Sequence, residues 1–285
     1  MFILAFLSQI ALLLPAGNYL PVSGAALLLL PAGSLLFLLF CGMLLCREHP
    51  LSIPPALSLP LSLLLLFLLL LLRYRYLFSL ALPEDRKLAV LFFLLLTLLP
   101  FFRSKEFPAL HEAPFLGLPV LGSLLLLLLI LLFTEKATPL LQMPLAFWTE
   151  SVPEEFPAAS FFLLLPLPGL QFLLCSAALG GAESPRKGRK QLFWGSFCAL
   201  LTHWALLLLS ASVLGCGLMP QVSYPIYSAL GINAAGTNTG MRIVLLFFAT
   251  SLSSFTALGI QFLALKKALL RFLPFACKND KISKN

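Results

Sequence analysis

The sequence is short of charge: 11% of its 285 residues are Asp, Glu, Lys or Arg, against 60% hydrophobic. Soluble domains carry about 25% charged residues, so a water-facing globule could not be covered from this stock. That shortage excludes a soluble enzyme, a secreted domain and a nucleic-acid binder, although 19 basic against 11 acidic residues leave a formal charge of +8. Ligand patterns for metals are missing too. The six cysteines form no CxxC and no Cys/His spacing. Cys41, Cys46, Cys175 and Cys198 lie inside apolar runs, Cys216 ends one and Cys277 lies near the C-terminus. They read as small apolar filler rather than a zinc site or a disulfide framework. No Asp or Glu stands in the middle of any apolar run, which argues against a carboxylate proton relay and against an intramembrane enzyme. No catalytic residue, metal ligand or cofactor is therefore expected.

What the sequence has in abundance is leucine in runs long enough to cross a bilayer, for which roughly 20 apolar residues suffice. About eight such runs fall near 2–20, 24–46, 57–82, 88–102, 115–133, 156–179, 191–219 and 242–265. The fold class expected is all-α integral membrane, with residues 1–265 as one polytopic domain in the lipid bilayer and 266–285 as a basic cytoplasmic tail. The first run lacks a basic segment before it and reads as a span rather than a cleaved signal peptide. Basic residues set the orientation. With the N-terminus inside, 13 of the 19 fall on inner segments, among them Arg186, Lys187, Arg189 and Lys190, and Lys266, Lys267 and Arg271. The N-terminus and C-terminus are both expected inside.

Two spans carry helix breakers. The first has Pro15-Ala16-Gly17, and the sixth has Pro166-Leu167-Pro168-Gly169-Leu170-Gln171. Proline removes a backbone donor, and non-helical backbone at membrane depth needs protein or a wet cavity to satisfy it. Breaks five spans apart point to a transporter-type binding site between two five-helix halves, or else to ordinary kinks such as Pro31 and Pro119 would make. Span seven places Ser196, His203 and Ser210 on one face, with His203 either a ligand-binding or a packing side chain. Span eight aligns Thr250, Ser254, Ala257 and Gln261, which line a cavity or bond back to their own helix. Arg73 and Arg75 end span three, either snorkelling to the interface or facing a wet cavity. The uncharged stretch from Leu218 to Met241 could cover an outward cavity. His111-Glu112 and the group Glu150, Glu154 and Glu155 fall on opposite sides of this topology, so they cannot form one enzymatic site.

Five of these stretches, taken in order, resemble the endospore germination permeases, the membrane-embedded B subunits of spore germinant receptors in the amino acid–polyamine–organocation superfamily. They are Gln9 to Pro15; Arg47-Glu48-His49-Pro50; Leu72-Arg73 with Leu82-Pro83; Pro166 to Gly169 followed by Arg186 to Lys190; and Ser223-Tyr224-Pro225 with Met241-Arg242. The resemblance implies a broken-helix, five-plus-five inverted-repeat fold, here shortened at the C-terminus to eight of the family's ten spans. Where the family tends to carry an acidic residue after the span-six break, this chain has Leu170-Gln171. The resemblance further implies the inner spore membrane, other receptor subunits as partners, and a small-molecule nutrient such as an amino acid as ligand. The pocket would lie between spans one, three, six and eight, with Pro15, Ala16, Gly17, Arg73, Pro168, Gly169, Gln171, Thr250 and Ser254 as ligand-binding residues. A small-solute permease and a diverged, non-binding assembly subunit are the alternatives.

Overall fold

The structure, a computed structural model, describes residues 1–17, 24–45, 55–80, 108–133, 165–179, 185–219, 222, 225–232 and 239–272. All regular structure among these residues is helical. In chain order the helices are α1 Phe2–Gly17, α2 Gly24–Leu45, α3 Pro55–Leu80, α4 Pro108–Leu132, α5 Leu167–Leu179, α6 Pro185–Leu218, α7 Pro225–Ile232 and α8 Thr239–Phe272. Leucine and alanine make this cheap, since neither loses much freedom in a helix and neither offers the backbone a competing hydrogen bond.

Three of the described helices are long and apolar enough to cross a membrane, at Leu27–Leu45, Lys187–Gly215 and Val244–Leu270. Four shorter apolar helices accompany them, at Phe2–Pro15, Leu59–Leu72, Gly117–Leu132 and Leu167–Leu179. The expected span near 88–102 and the first part of the one near 156–179 lie outside the described residues. Outward-facing side chains are large and apolar: Phe67, Phe115, Leu118 and Phe133 are 65%, 78%, 68% and 77% exposed. Such a surface suits hydrocarbon as its solvent.

The bundle is built around α1, which packs against α3, α4, α5, α6 and α8. Ala5, Leu7, Ser8, Gln9, Ile10, Ala11 and Leu12 are wholly buried, so α1 has no outward face between them. A helix apolar all round belongs inside, and here it does. Its closest neighbour is α6, where Gly195 lies against the Phe2 carbonyl and the Ala5 methyl. A side chain at 195 would collide with that backbone, so glycine is what lets the two helices approach.

Contacts along the helices fix their directions. Phe2 of α1 sits by Gly195 of α6, Gly42 of α2 by Phe193 of α6, and Lys267 of α8 bonds the Ala178 carbonyl of α5. The starts of α1 and α6 and the ends of α2, α5 and α8 therefore share one end of the bundle. That end carries Lys187, Arg189, Lys190, Lys266 and Lys267. The basic stretch at 266 continues α8 to Phe272 instead of beginning a separate tail, because Ala264 and Ala268 stay buried there.

Two details redirect the chain. Within α6, Gly215 takes φ 69°, a left-handed conformation that costs a residue with a Cβ about 1–2 kcal/mol. Beyond it, part of the stretch expected to be an uncharged loop forms α7. Ile226, Ala229 and Leu230 of α7 are buried, and the helix packs on α6 and α8.

Candidate functional site

The chemistry inside the bundle is amide chemistry. Three glutamines, Gln9 on α1, Gln171 on α5 and Gln261 on α8, are each wholly buried. They meet where α5 begins. The Gln9 amide donates to the Pro168 carbonyl at 2.7 Å. The Gln171 amide donates to the Ser8 hydroxyl, and the Ser8 oxygen lies 3.4 Å from the Cys175 sulfur. Gln261 donates to the Gln171 amide oxygen at 3.4 Å, a long bond. Ser8 and Gln9 follow each other on α1, while Gln171 and Cys175 are one helical turn apart on α5, so three helices supply one cluster.

The cluster is incompletely paired. The amide oxygens of Gln9 and Gln261 have no hydrogen-bond partner among the described residues. A buried acceptor left open costs roughly 1–3 kcal/mol, which a donor brought by a water or a ligand would recover. The Gln9 amide also stands beside the first turn of α5, which carries the positive end of the helix dipole; Pro168 brings no N–H there, and the Leu170 amide is already bonded to the Pro166 carbonyl at 2.9 Å. The open amide oxygens let this corner take a group that brings donors, and the helix dipole favours negative charge beside it.

The expected site residues fall differently. Pro168, Gly169 and Gln171 are at this corner. Pro168 sits in the first turn of α5, where a missing N–H is harmless, so within the described residues it starts a helix rather than interrupting one. Gly169 is closed off: a Cβ there would stand against the Phe37 ring and the Cys41 sulfur of α2. On α1 the helix continues through Pro15 and Ala16 to Gly17. Pro15 lies about 9 Å along the axis from Gln9, the residue that bonds the Pro168 carbonyl. The side-chain surroundings of Ala16, Gly17 and Arg73 lie outside the description. Thr250 bonds back to the Leu246 and Phe247 carbonyls at 2.9 Å each, and Ser254 to Thr250 at 2.6 Å. About 16 and 10 Å up the helix from Gln261, these two hydroxyls serve their own helix. On α6, Ser196, His203 and Ser210 share the buried face, as their spacing predicts. The Ser210 hydroxyl bonds Leu206 at 2.7 Å. Among the described residues no group of three His, Cys, Asp or Glu comes together to hold a metal ion.

Ser8, Gln9 and Cys175 stand outside the expected ligand-binding residues, whereas Gln261 belongs to the span-eight stripe expected to line a cavity or bond back to its own helix. The signal for them was present: Gln9, Gln171 and Gln261 are the glutamines that stand inside long apolar runs. An amide in hydrocarbon must find a partner on another helix. In comparison with known proteins, the chain matches no family model, no curated protein and no solved structure.

Proposed function

We propose that the chain is a membrane-embedded sensing subunit that binds a small nutrient, an amino acid in the first instance, at the corner where α1, α5 and α8 meet. The observation that carries this reading is the pair of buried, unpartnered amide oxygens of Gln9 and Gln261 beside the start of α5. An amino acid brings an ammonium group that can donate to these amide oxygens, and the dipole at the start of α5 favours its carboxylate. In this reading the ligand is detected by preferring one arrangement of α1 against α5, so that occupancy shifts a population rather than drives a transport cycle. The resemblance to the germination permeases supports the further proposals of an eight-span inverted-repeat fold, the inner spore membrane and companion receptor subunits. A non-binding assembly subunit is the second reading, favoured by the packing of Phe37 and Cys41 against Gly169, which leaves that glycine no open side.

The test is thermal unfolding of the detergent-purified protein against amino acids, nucleosides and sugars. A ligand present at a hundred times its Kd stabilises by about 2.7 kcal/mol, a readily measured rise in Tm. Gln9→Met and Gln261→Met, which keep the side-chain volume and remove the amide, should abolish the rise. Gly169→Leu is a poor control, because it must displace Phe37. A folded protein that no compound stabilises sinks the sensing reading and leaves the assembly subunit.

A further inference from the structure

The outward face of α6 changes character along its length in the way a lipid molecule does. From Lys187 to Leu201 its exposed side chains are Lys187, Lys190, Gln191, Trp194 and Leu201, with Cys198 half-buried between the last two. These positions recur every three, four or seven residues and so form one stripe. The opposite stripe, Leu192, Gly195, Ser196, Ala199, Leu200 and His203, is buried against the bundle. Trp194 is 54% exposed although it touches Phe193 and Phe197 edge-on, with ring centroids 5.8 and 5.5 Å apart. Its ring is thus held by protein on one side and bare on the other. From Lys187 to Leu201 the stripe rises about 21 Å, enough to run from a headgroup layer into the acyl chains.

The lower end of the stripe is cationic. Lys187 and Lys190 are exposed on it, whereas Arg189 stands on the opposite face of α6 with its Nε buried. They sit in the first turns of α6, where basic side chains oppose the helix dipole unless an anion joins them. The ends of α5 and α8 lie at the same end of the bundle, with Lys266 exposed on α8.

The geometry points to a binding site for an anionic phospholipid on α6, with the phosphate and headgroup held by Lys187 and Lys190 and the acyl chain laid over Trp194 and Leu201. A free phosphate would use the cations and ignore the stripe above them; a lipid uses both. Trp194 takes the place tryptophan favours in membranes, at the boundary between headgroup and chain. The site is separate from the glutamine corner, and the two proposals share only the membrane setting.

Full-length protein reconstituted in phosphatidylcholine vesicles, with a few mole per cent of brominated phosphatidylglycerol or of brominated phosphatidylcholine, reads the site directly. The signal is the tryptophan quenching that disappears in Trp194→Phe. Per molecule of bromolipid, phosphatidylglycerol should quench Trp194 roughly fivefold more for each lysine engaged. Lys187→Gln with Lys190→Gln should bring the ratio close to one while circular dichroism stays unchanged. Equal quenching in the unsubstituted protein, or a preference that survives the double substitution, overturns the site. Loss of the preference in inorganic phosphate, but not in chloride of equal ionic strength, also overturns it and assigns the corner to a free anion. Quenching by neither lipid removes α6 from the bilayer and withdraws the membrane setting of the sensing proposal as well. A lipid preference without any nutrient binding leaves this site standing and ends the sensing reading alone.

Discussion

Gln171 holds the glutamine corner together, because its amide donates to Ser8 and, weakly, to Cys175 and accepts from Gln261 within the same wholly buried side chain. Gln171→Leu would leave the Ser8 hydroxyl and the Gln261 amide short of a partner, and unfolding free energy in detergent should fall by about 1–3 kcal/mol. Adding Gln261→Leu should cost less than the two changes separately, since the second removes a group the first had stranded. Strict additivity would count against the pairing. Gly195 offers a cleaner steric test. Gly195→Ala places a methyl against the Phe2 carbonyl and should destabilise by about 1–3 kcal/mol, the ordinary cost of overpacking. Gly122, also helical, has nothing within 4 Å of its added methyl. Gly122→Ala should therefore leave Tm unchanged or raise it slightly, and the contrast between the two is the measurement. At this scale the sequence was legible for burial and poorly legible for partnership. Ser196, His203 and Ser210 could be put on one face from their spacing alone. Thr250 and Ser254 equally formed a stripe, but a hydroxyl can bond its own helix and an amide cannot do so as readily, so only Gln261 reaches across.

The helices show a similar division. The described helices α1 (2–17), α2 (24–45) and α3 (55–80) overlap the continuous apolar runs near 2–20, 24–46 and 57–82. Proline was harder to read. Pro166 and Pro168 looked like a break in mid-span, but a proline in the first turn is as compatible with a start as with an interruption. Nor does a list of apolar residues say that α7 would pack, since eight residues carry little periodicity. The clearest device at this scale closes the far end of α5, where Lys267 of α8 donates to the Ala178 carbonyl in the last turn. Lys267→Met should loosen that turn by about 0.3–2 kcal/mol, with Lys267→Arg restoring most of it. Faster amide exchange confined to the end of α5 is the readout. In α6, Gly215→Ala should cost about 1–2 kcal/mol through its positive φ alone.

For the whole molecule, the shared end of α1, α5, α6 and α8 yields a topology that can be tested. Single cysteines placed at Lys187 and Lys266, in a background with the native cysteines replaced, should react with an impermeant maleimide from the same side of a vesicle. Reaction from opposite sides would break the agreement between the helix directions and the basic residues. The central position of α1 has a further consequence, in time rather than in space. Gln9 finds its partner at Pro168, and α1 is enclosed by helices as distant in sequence as α8. At about 5–20 residues per second, synthesis needs on the order of 8–30 seconds to deliver Pro168 after Gln9 has been made. For that interval Ser8 and Gln9 wait for their bonds, on a helix whose partners have not yet been made.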